Sequence, residues 1–169
     1  MKEANEKRQA EKRRSARALD RLRNQPAVSR DGTEIQLMAN VELPVEMEAV
    51  GISGAQGVGL LRSEFMFMNR DDIPSEEEQT AILEQIVGPM KSLPVTIRTL
   101  DIGGEKPAPA LLSDIDEAAA SALGLRGIRL SLANPDTLRT QFRAILRVAQ
   151  KRNVRILLPM VTTPGEVVR

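Results

Sequence analysis

Two arginines are the side chains in this sequence best suited to bind an anion. Arg62 and Arg98 each end a largely apolar stretch, and each is followed by a hydroxyl residue, Ser63 or Thr99. A guanidinium group stays charged at any working pH, and its planar fork can donate two hydrogen bonds to a phosphate or a carboxylate. The repeated pattern therefore predicts an anion site to which both arginines contribute.

Further polar residues lie near the ends of the predicted strands and could support such a site: Asn40, Ser63, Asp101, Gly103-Gly104, Lys106 and Arg126. Paired glycines let backbone N–H groups approach an oxyanion closely, and Lys106 would add a positive charge. The spacing is equally compatible with an alternative. Arg62 and Arg98 could instead form ion pairs with Glu64 and Asp101 that hold the loops together.

The absence of two residue types excludes several kinds of chemistry. The sequence contains no His and no Cys. A Ser-His-Asp triad, a thiolate nucleophile, a Cys or His metal site and a phosphohistidine are therefore excluded within the chain. Aromatic residues make up only 2% of the sequence, which argues against a platform for stacking nucleic-acid bases.

The elements that must position these residues alternate between strand and helix. Apolar stretches predict strands over 35–40, 57–61, 94–99 and 154–160. Because the stretches are continuously apolar, we expect a parallel sheet covered by helices. Periodicity leaves two architectures open, a doubly wound sheet and part of a (β/α)8 barrel.

Two of the connecting helices have clear sequence signatures. Ser75 followed by Glu78 predicts a capped helix start, and that helix should continue to about Val87. A second helix is predicted over 137–150, beginning after Asn134-Pro135. Its predicted apolar face consists of Leu138, Phe142, Ile145, Leu146 and Ala149.

Residues 1–25 are predicted to form a basic helix. The first 24 residues carry nine Lys or Arg against four Asp or Glu, and segment 3–23 has no Pro or Gly. A linker helix leading into the domain at 26–169 is the favoured interpretation. A basic arm for nucleic acid or anionic lipid is the alternative, but no aromatic wedge or strong apolar face accompanies the charges. We therefore expect no nucleic-acid partner.

Length and composition are those of an ordinary globular domain. The chain has 169 residues, of which 41% are apolar and 28% charged, enough for a single core. No apolar stretch approaches the roughly 20 residues that span a bilayer. The charged N-terminus also lacks a signal-peptide pattern. We therefore expect a cytoplasmic location and no membrane contact.

Several stretches together are similar to a known family: 57–70, 74–79, 98–106, 123–129 and 157–161. In order and spacing, the chain from about Pro26 onward resembles the phosphoenolpyruvate-binding domain of the Enzyme I family of the bacterial phosphotransferase system. The N-terminal helix resembles the helix that leads into that domain. Ser63 and Glu105 stand where the family commonly has Thr and Asp, which are mild departures.

The resemblance implies the N-terminal half of a (β/α)8 TIM barrel, about four β/α units, at residues 26–169. Such a barrel binds phosphoenolpyruvate and Mg²⁺ at the C-terminal ends of its strands. Matched by motif, Arg62 and Arg98 would clamp the substrate phosphate, with Arg126 close by. Support would come from the remaining candidates, namely Asn40, Ser63, Asp101 and Lys106.

The resemblance also implies what the chain lacks. In the family a histidine on a separate domain receives the phosphoryl group and passes it to a small phosphocarrier protein. The family's Mg²⁺ ligands are carboxylates on later strands, and its proton-donating Cys lies later still. We therefore expect part of a phosphotransferase that carries phosphate-binding arginines, has no catalytic or metal-binding residue of its own, and is inactive alone.

Two alternatives remain beside this interpretation. The equivalent part of pyruvate phosphate dikinase or phosphoenolpyruvate synthase belongs to the same class, although the run Arg-Ser-Glu-Phe-Met-Phe-Met-Asn-Arg at 62–70 favours Enzyme I. A natural half-barrel that serves as a binding or assembly module belongs to a different class. Its two exposed sheet edges would invite self-association.

Overall fold

The computed structural model describes residues 8–9, 11–12, 14–15, 19–102 and 123–169. Every described position from 8 to 20 is helical, whereas residues 21–25 form turns and a bend, so the helix ends earlier than the predicted end at residue 25. The candidates Gly103-Gly104 and Lys106 lie outside the described residues. The division into a linker helix (1–25) and a half-barrel (26–169) stays a prediction.

A short antiparallel hairpin precedes the main sheet. β1 (Ala27–Val28) pairs with β2 (Glu34–Ile35) across a turn in which Gly32 has φ of +88°. The predicted strand over 35–40 is therefore wrong in its first half, because Ile35 ends the hairpin. The chain then crosses to the main sheet, held by a hydrogen bond of 2.9 Å from the Leu37 backbone N–H to the Gln56 side chain.

In the described part of the chain, the main sheet consists of four parallel strands: β3 (Ala39–Val41), β4 (Val58–Arg62), β5 (Val95–Arg98) and β6 (Val154–Leu157). Their order in space is their order along the chain, β3-β4-β5-β6. A doubly wound sheet reverses its order at a switch point, whereas a (β/α)8 barrel does not. The sheet is therefore that of a partial β/α barrel, which confirms the predicted fold class.

Within residues 39–102 and 123–169, the helices that connect or follow the strands are α1 (Met47–Ser53), α2 (Glu76–Val87), α3 (Ile128–Ala133), α4 (Pro135–Ala149) and α5 (Gly165–Val168). Short 3-10 turns occupy Pro44–Glu46, Glu64–Met66 and Gly88–Met90. The predicted cap of α2 is confirmed, because the Ser75 hydroxyl accepts a hydrogen bond of 3.2 Å from the Glu78 backbone N–H. Among the described helices, none has the length and apolarity needed to cross a bilayer.

Among the described residues, an apolar core joins the sheet to α2 and α4. Leu61 of β4 and Ile97 of β5 are fully buried in it. They pack with apolar residues of the two helices: Leu83, Ile86, Val87, Ala144, Ile145 and Val148. Burial of this apolar surface supplies the main stabilising free energy of the fold.

The buried face of α4 differs from the predicted one. Gln141, Ala144, Ile145 and Val148 are buried, whereas Leu146 is 56% exposed. The predicted face counted apolar side chains only, so a buried glutamine could not belong to it. Ala144 occupies little space, and this lets α4 lie close against its neighbours.

β4 starts in close contact with the backbone that enters β5. Gly57 has φ of +150°, and a Cβ atom there would lie 2.5 Å from the Pro94 carbonyl oxygen and 2.8 Å from Met38 Cε. The next residue donates a hydrogen bond of 2.9 Å from its backbone N–H to the same Pro94 oxygen. Only glycine combines this φ with such a close approach.

We therefore predict that Gly57→Ala lowers the free energy of unfolding by about 1–3 kcal/mol, through backbone strain and displacement of Pro94. Urea unfolding of the chain measures the change. Gly51→Ala is the control, since Gly51 lies in α1 and an added Cβ would meet nothing within 4 Å. That control should be neutral or stabilise by up to about 1 kcal/mol. Equal destabilisation by both variants would contradict the close approach at β4.

Arg70 joins the loop after β4 to the start of α2. Its guanidinium contacts both carboxylate oxygens of Asp72 at 2.7 and 3.0 Å. It also contacts both carboxylate oxygens of Glu78 at 3.0 and 3.2 Å. The hydrogen bonds from Arg70 hold the pKa of each carboxyl below its ordinary value, 3.8 for Asp72 and 4.5 for Glu78.

The hydrogen bonds from Arg70 to Asp72 and Glu78 predict a pH-dependent contribution to the stability of the fold. A lowered folded-state pKa stabilises the fold above the unfolded pKa, and the contribution is lost as the pH falls through the folded pKa. Arg70→Met should therefore be less stable than the wild type near neutral pH. The difference should shrink as the pH falls below the ordinary values of 4.5 and 3.8 and vanish once both carboxyls are protonated. Denaturant unfolding at a series of pH values tests this, and a pH-independent difference would contradict it.

Candidate functional site

The structure brings the two predicted arginines side by side. Arg62 ends β4, Arg98 ends β5, and the two are register partners in the parallel pair. Neighbouring strands lie about 4.8 Å apart, and aligned residues share a face of the sheet. Leu61 and Ile97, one position earlier in each strand, are also aligned and point into the core. The arginines therefore project from the opposite face, at the C-terminal edge of the sheet.

Arg98 is held by a buried carboxylate. Its Nη2 lies 2.5 Å from Oε1 of Glu64, a side chain only 1% exposed in the 3-10 turn after β4. Its Nη1 lies 3.6 Å from Oδ2 of Asp101. A buried carboxylate is stable only when a paired charge compensates its desolvation. Glu64 and Asp101 therefore fix where the Arg98 guanidinium lies.

Asp101 also brings the third predicted arginine to the site. Its Oδ1 accepts a hydrogen bond of 3.0 Å from Nε of Arg126. Arg126 comes from the stretch before α3, where the backbone N–H of Ile128 bonds to the Pro159 carbonyl after β6 at 3.0 Å. One carboxylate thus contacts an arginine at the end of β5 and an arginine from the stretch before α3, and it keeps the two together.

Arg62 has a different partner. Its Nη1 lies 2.9 Å from Oε1 of Glu42, whose side chain is 57% exposed. The predicted alternative, in which Glu64 and Asp101 pair with both arginines, therefore holds for Arg98 but not for Arg62. Glu42 is not among the site residues predicted from the sequence. The available signal was its position directly after β3, because the C-terminal ends of parallel strands meet at one edge.

Several polar atoms at this edge are buried without a partner among the described residues. They are Nε of Arg62, Nε of Arg98, Oε2 of Glu64 and Oγ1 of Thr99. Buried donors and acceptors are nearly always hydrogen-bonded in folded proteins, so unpaired ones mark sites that call for an explanation. Two unpaired guanidinium N–H groups on neighbouring strands can donate to oxygens of one anionic group.

The remaining predicted residues take other positions. Ser63 is fully buried, and its hydroxyl accepts a hydrogen bond of 3.0 Å from Nε2 of Gln141. Asn40 pairs with Leu60 in the sheet and lines a cavity of about 990 Å³ between β3, α1 and the N-terminal segment. Within the described part of the chain, no hydrogen bond joins Asn40 to the arginines. The structure thus brings together Arg62, Arg98, Arg126 and Asp101, and it leaves Asn40 apart.

The buried carboxylates of the site form ion pairs with the arginines. Glu64 and Asp101 each contact guanidinium nitrogens. Across residues 19–102 and 123–169, no group of three acidic side chains is arranged to hold a metal ion.

Because Arg98 pairs with a buried carboxylate and Arg62 with an exposed one, we predict that replacing the two arginines lowers the free energy of unfolding by different amounts. Arg98→Ala leaves the carboxylate of Glu64 buried without its guanidinium, and we expect a loss of about 3–5 kcal/mol in the free energy of unfolding. Arg62→Ala breaks an ion pair with a mostly exposed partner, so it should lower the free energy of unfolding by at most about 1 kcal/mol. Urea unfolding of both variants measures the difference.

A double variant provides the control for this prediction. Arg98→Ala combined with Glu64→Ala removes both charges, so it should recover part of the stability lost in Arg98→Ala. Similar losses for Arg62→Ala and Arg98→Ala, or no recovery in the double variant, would contradict the buried ion pair.

The chain is similar to known proteins over most of its length. Residues 16–169 match the family model described as PEP-utilising enzyme, PEP-binding domain. The chain is 47% identical over 161 residues to a phosphoenolpyruvate-protein phosphotransferase of Cupriavidus necator, covering 95% of the chain and 28% of the relative. It is 43% identical over 147 residues to a protein of the same name from Listeria monocytogenes, covering 87% of the chain and 25% of the relative.

A third relative has a different name. The chain is 42% identical over 147 residues to a multiphosphoryl transfer protein of Rhodobacter capsulatus, covering 87% of the chain and 18% of the relative. The chain thus spans between 18% and 28% of the length of these three curated relatives. Because the family model covers nearly the whole chain, this protein belongs to the family of phosphoenolpyruvate-utilising enzymes, as a part of their phosphoenolpyruvate-binding domain.

Proposed function

We propose that the chain forms the phosphate-binding part of a phosphoenolpyruvate-protein phosphotransferase of the Enzyme I type. The observation that carries the proposal is the pair of arginines on β4 and β5, aligned in register, each with a buried and unpaired Nε among the described residues. The names of the relatives support the same substrate and the same transfer. They favour this proposal over a non-catalytic half-barrel module and over the dikinase or synthase alternative.

In this proposal the arginines bind the phosphoryl group of phosphoenolpyruvate. Arg62 and Arg98 donate from their free N–H groups to its oxygens, with Arg126 close by through Asp101. During transfer the negative charge spreads over the equatorial phosphoryl oxygens, and fixed guanidinium groups stabilise that charge without reorganising. The role of the arginines is therefore electrostatic and positional.

The carboxylates make the two arginines unequal in this role. Arg98 is fixed by the buried Glu64 and by Asp101, so it offers a preformed contact. Arg62 is paired with the exposed Glu42, which an incoming phosphate can displace at little cost because an exposed ion pair is weak. Binding would therefore exchange Glu42 for a ligand oxygen at Arg62.

The transfer itself needs groups that this chain does not contain. The sequence has no His to accept the phosphoryl group and no Cys to donate a proton. We therefore propose that the acceptor histidine and a bound Mg²⁺ are held by other parts of the enzyme, and that a phosphocarrier protein is the next acceptor. The chain by itself would not transfer phosphate. A cytoplasmic location is part of the same proposal.

Self-association of the isolated chain is a further part of the proposal. β3 and β6 are the outer strands of the described sheet, and Ile156 and Leu157 of β6 are 36% and 37% exposed. Unpaired edge strands with exposed apolar side chains tend to pair with another chain.

A titration followed by NMR tests the phosphate site. We predict that phosphoenolpyruvate causes saturable shifts of the Arg62 and Arg98 signals, that inorganic phosphate shifts the same signals, and that pyruvate, which lacks the phosphoryl group, shifts them least. Arg62→Gln should abolish or strongly weaken the response, because a neutral amide cannot replace the charged fork.

Arg139→Gln is the matched control, since it removes the same charge from an arginine whose side chain is 60% exposed on α4. This control variant should bind phosphoenolpyruvate as the wild type does. A folded sample without saturable shifts, or an equal loss in both variants, would contradict the proposal that Arg62 and Arg98 form the phosphate site in this chain.

A further inference from the structure

Gln141 is a polar side chain in the apolar layer between the sheet and its helices. It lies on the buried face of α4 and is only 1% exposed. Its Nε2 donates a hydrogen bond of 3.0 Å to Oγ of Ser63. Its Oε1 accepts a hydrogen bond of 2.9 Å from the backbone N–H of Leu100. Both polar ends of the amide are therefore satisfied by buried partners.

These two partners belong to the segments that carry the arginines. Ser63 directly follows Arg62, and Leu100 is two residues beyond Arg98. The segments are separate along the chain, and Gln141 lies 78 residues from Ser63 and 41 from Leu100. One planar amide group thus connects the end of β4 with the end of β5.

The helix that carries Gln141 is itself firmly placed. Ala144, Ile145 and Val148 of α4 are buried in the core with residues of α2. At the surface, Nη1 of Arg147 contacts Oε1 of Glu76 at 3.0 Å, which ties α4 to the start of α2. A side chain on a packed helix is a more precise support than one on a loop.

We propose that Gln141 is a positioning residue for the phosphate site, and that it sets the separation of the Arg62 and Arg98 guanidinium groups through Ser63 and Leu100. This inference rests on the proposed function, because it assigns Gln141 to the support of that same site. Gln141 would not touch the substrate.

Hydrogen-bond energetics explain how such a residue could control the site. If the amide is removed, the Leu100 N–H and the Ser63 hydroxyl remain buried without their partner. The segments after β4 and β5 can then recover hydrogen bonds only by shifting towards water or other groups. Displacements of about 1 Å in a binding constellation can cost orders of magnitude in function. A small shift of either segment would thus misplace an arginine.

The choice of a neutral amide also follows from the surroundings. A glutamine donates through its NH₂ group and accepts through its carbonyl oxygen, so it meets the Ser63 oxygen and the Leu100 N–H without adding charge. A methionine has a similar shape and fills the same space, but it cannot form either hydrogen bond. Gln141→Met therefore removes the connection while largely preserving the packing.

The experiment uses the ¹⁵N-labelled chain and three variants. Gln141→Met removes both hydrogen bonds of the amide. Ser63→Ala removes only the hydrogen bond between Gln141 and the segment after β4. Gln150→Met is the control, because Gln150 follows the same helix and is exposed. Urea unfolding first establishes that each variant folds. Hydrogen exchange of the Leu100 amide, the Nε–Hε signals of Arg62 and Arg98, and the affinity for phosphoenolpyruvate are then compared.

We expect Gln141→Met to exchange the Leu100 amide at least about tenfold faster and to bind phosphoenolpyruvate about tenfold more weakly, the factor that corresponds to roughly 1.4 kcal/mol. The Nε–Hε signals of Arg62 and Arg98 should shift or broaden. Ser63→Ala should shift the Arg62 signal and retain the protection of Leu100. Gln150→Met should match the wild type throughout.

The outcomes separate this inference from the proposed function. If Gln141→Met folds and leaves the arginine signals and the affinity unchanged, the positioning role is overturned. If Gln141→Met does not fold, the Ser63→Ala variant decides, and an unchanged Arg62 signal overturns the inference. If the wild-type chain does not bind phosphoenolpyruvate, the proposed function fails for this chain, and the arginine signals of Gln141→Met alone decide the positioning role.

Discussion

The parallel register between β4 and β5 aligns two kinds of residue at once. It sets Leu61 beside Ile97 on the face that packs against α2 and α4, and Arg62 beside Arg98 on the opposite face. Because side chains alternate along a strand, a slip of one residue would turn an arginine into the core and a leucine or isoleucine out of it. Burial of the apolar pair therefore also determines where the two guanidinium groups lie.

Each of three arginines has a carboxylate partner among the described residues at the edge of the sheet where these strands end. Arg62, Arg98 and Arg126 are contacted by Glu42, Glu64 and Asp101. The partners differ in burial, since the Glu64 side chain is 1% exposed and that of Glu42 is 57% exposed. A buried partner makes Arg98 rigid and costly to remove, whereas an exposed partner leaves Arg62 available for exchange. The proposed anion site would therefore have one fixed contact, Arg98, and one contact, Arg62, that exchanges its partner for the ligand.

The helix layer contributes more than apolar burial. α4 packs against α2 through small and aliphatic residues, and within the same buried face it carries Gln141, whose amide reaches the segments after both arginine-bearing strands. Arg70 acts on the neighbouring loop by joining Asp72 and Glu78. Packing of the helices and placement of the strand ends are thus coupled, because the same elements supply apolar contacts and directed hydrogen bonds.

From the amino-acid sequence alone one can predict the alternation of strands and helices, the cap at Ser75, the two arginines at strand ends and the exclusion of histidine and thiol chemistry. These features are local, because they depend on residue type, periodicity and short spacing. Periodicity leaves the strand order open, and the described sheet establishes it. The partner of each arginine and the partners of Gln141 follow only from tertiary packing. Glu42 lies 20 residues from Arg62, and Gln141 lies 78 residues from Ser63. Periodicity also misplaced the buried face of α4, because a glutamine counts as polar until the fold supplies partners for both ends of its amide. Contacts of this kind form only after parallel strands and packed helices bring distant segments together, so no local pattern could predict them.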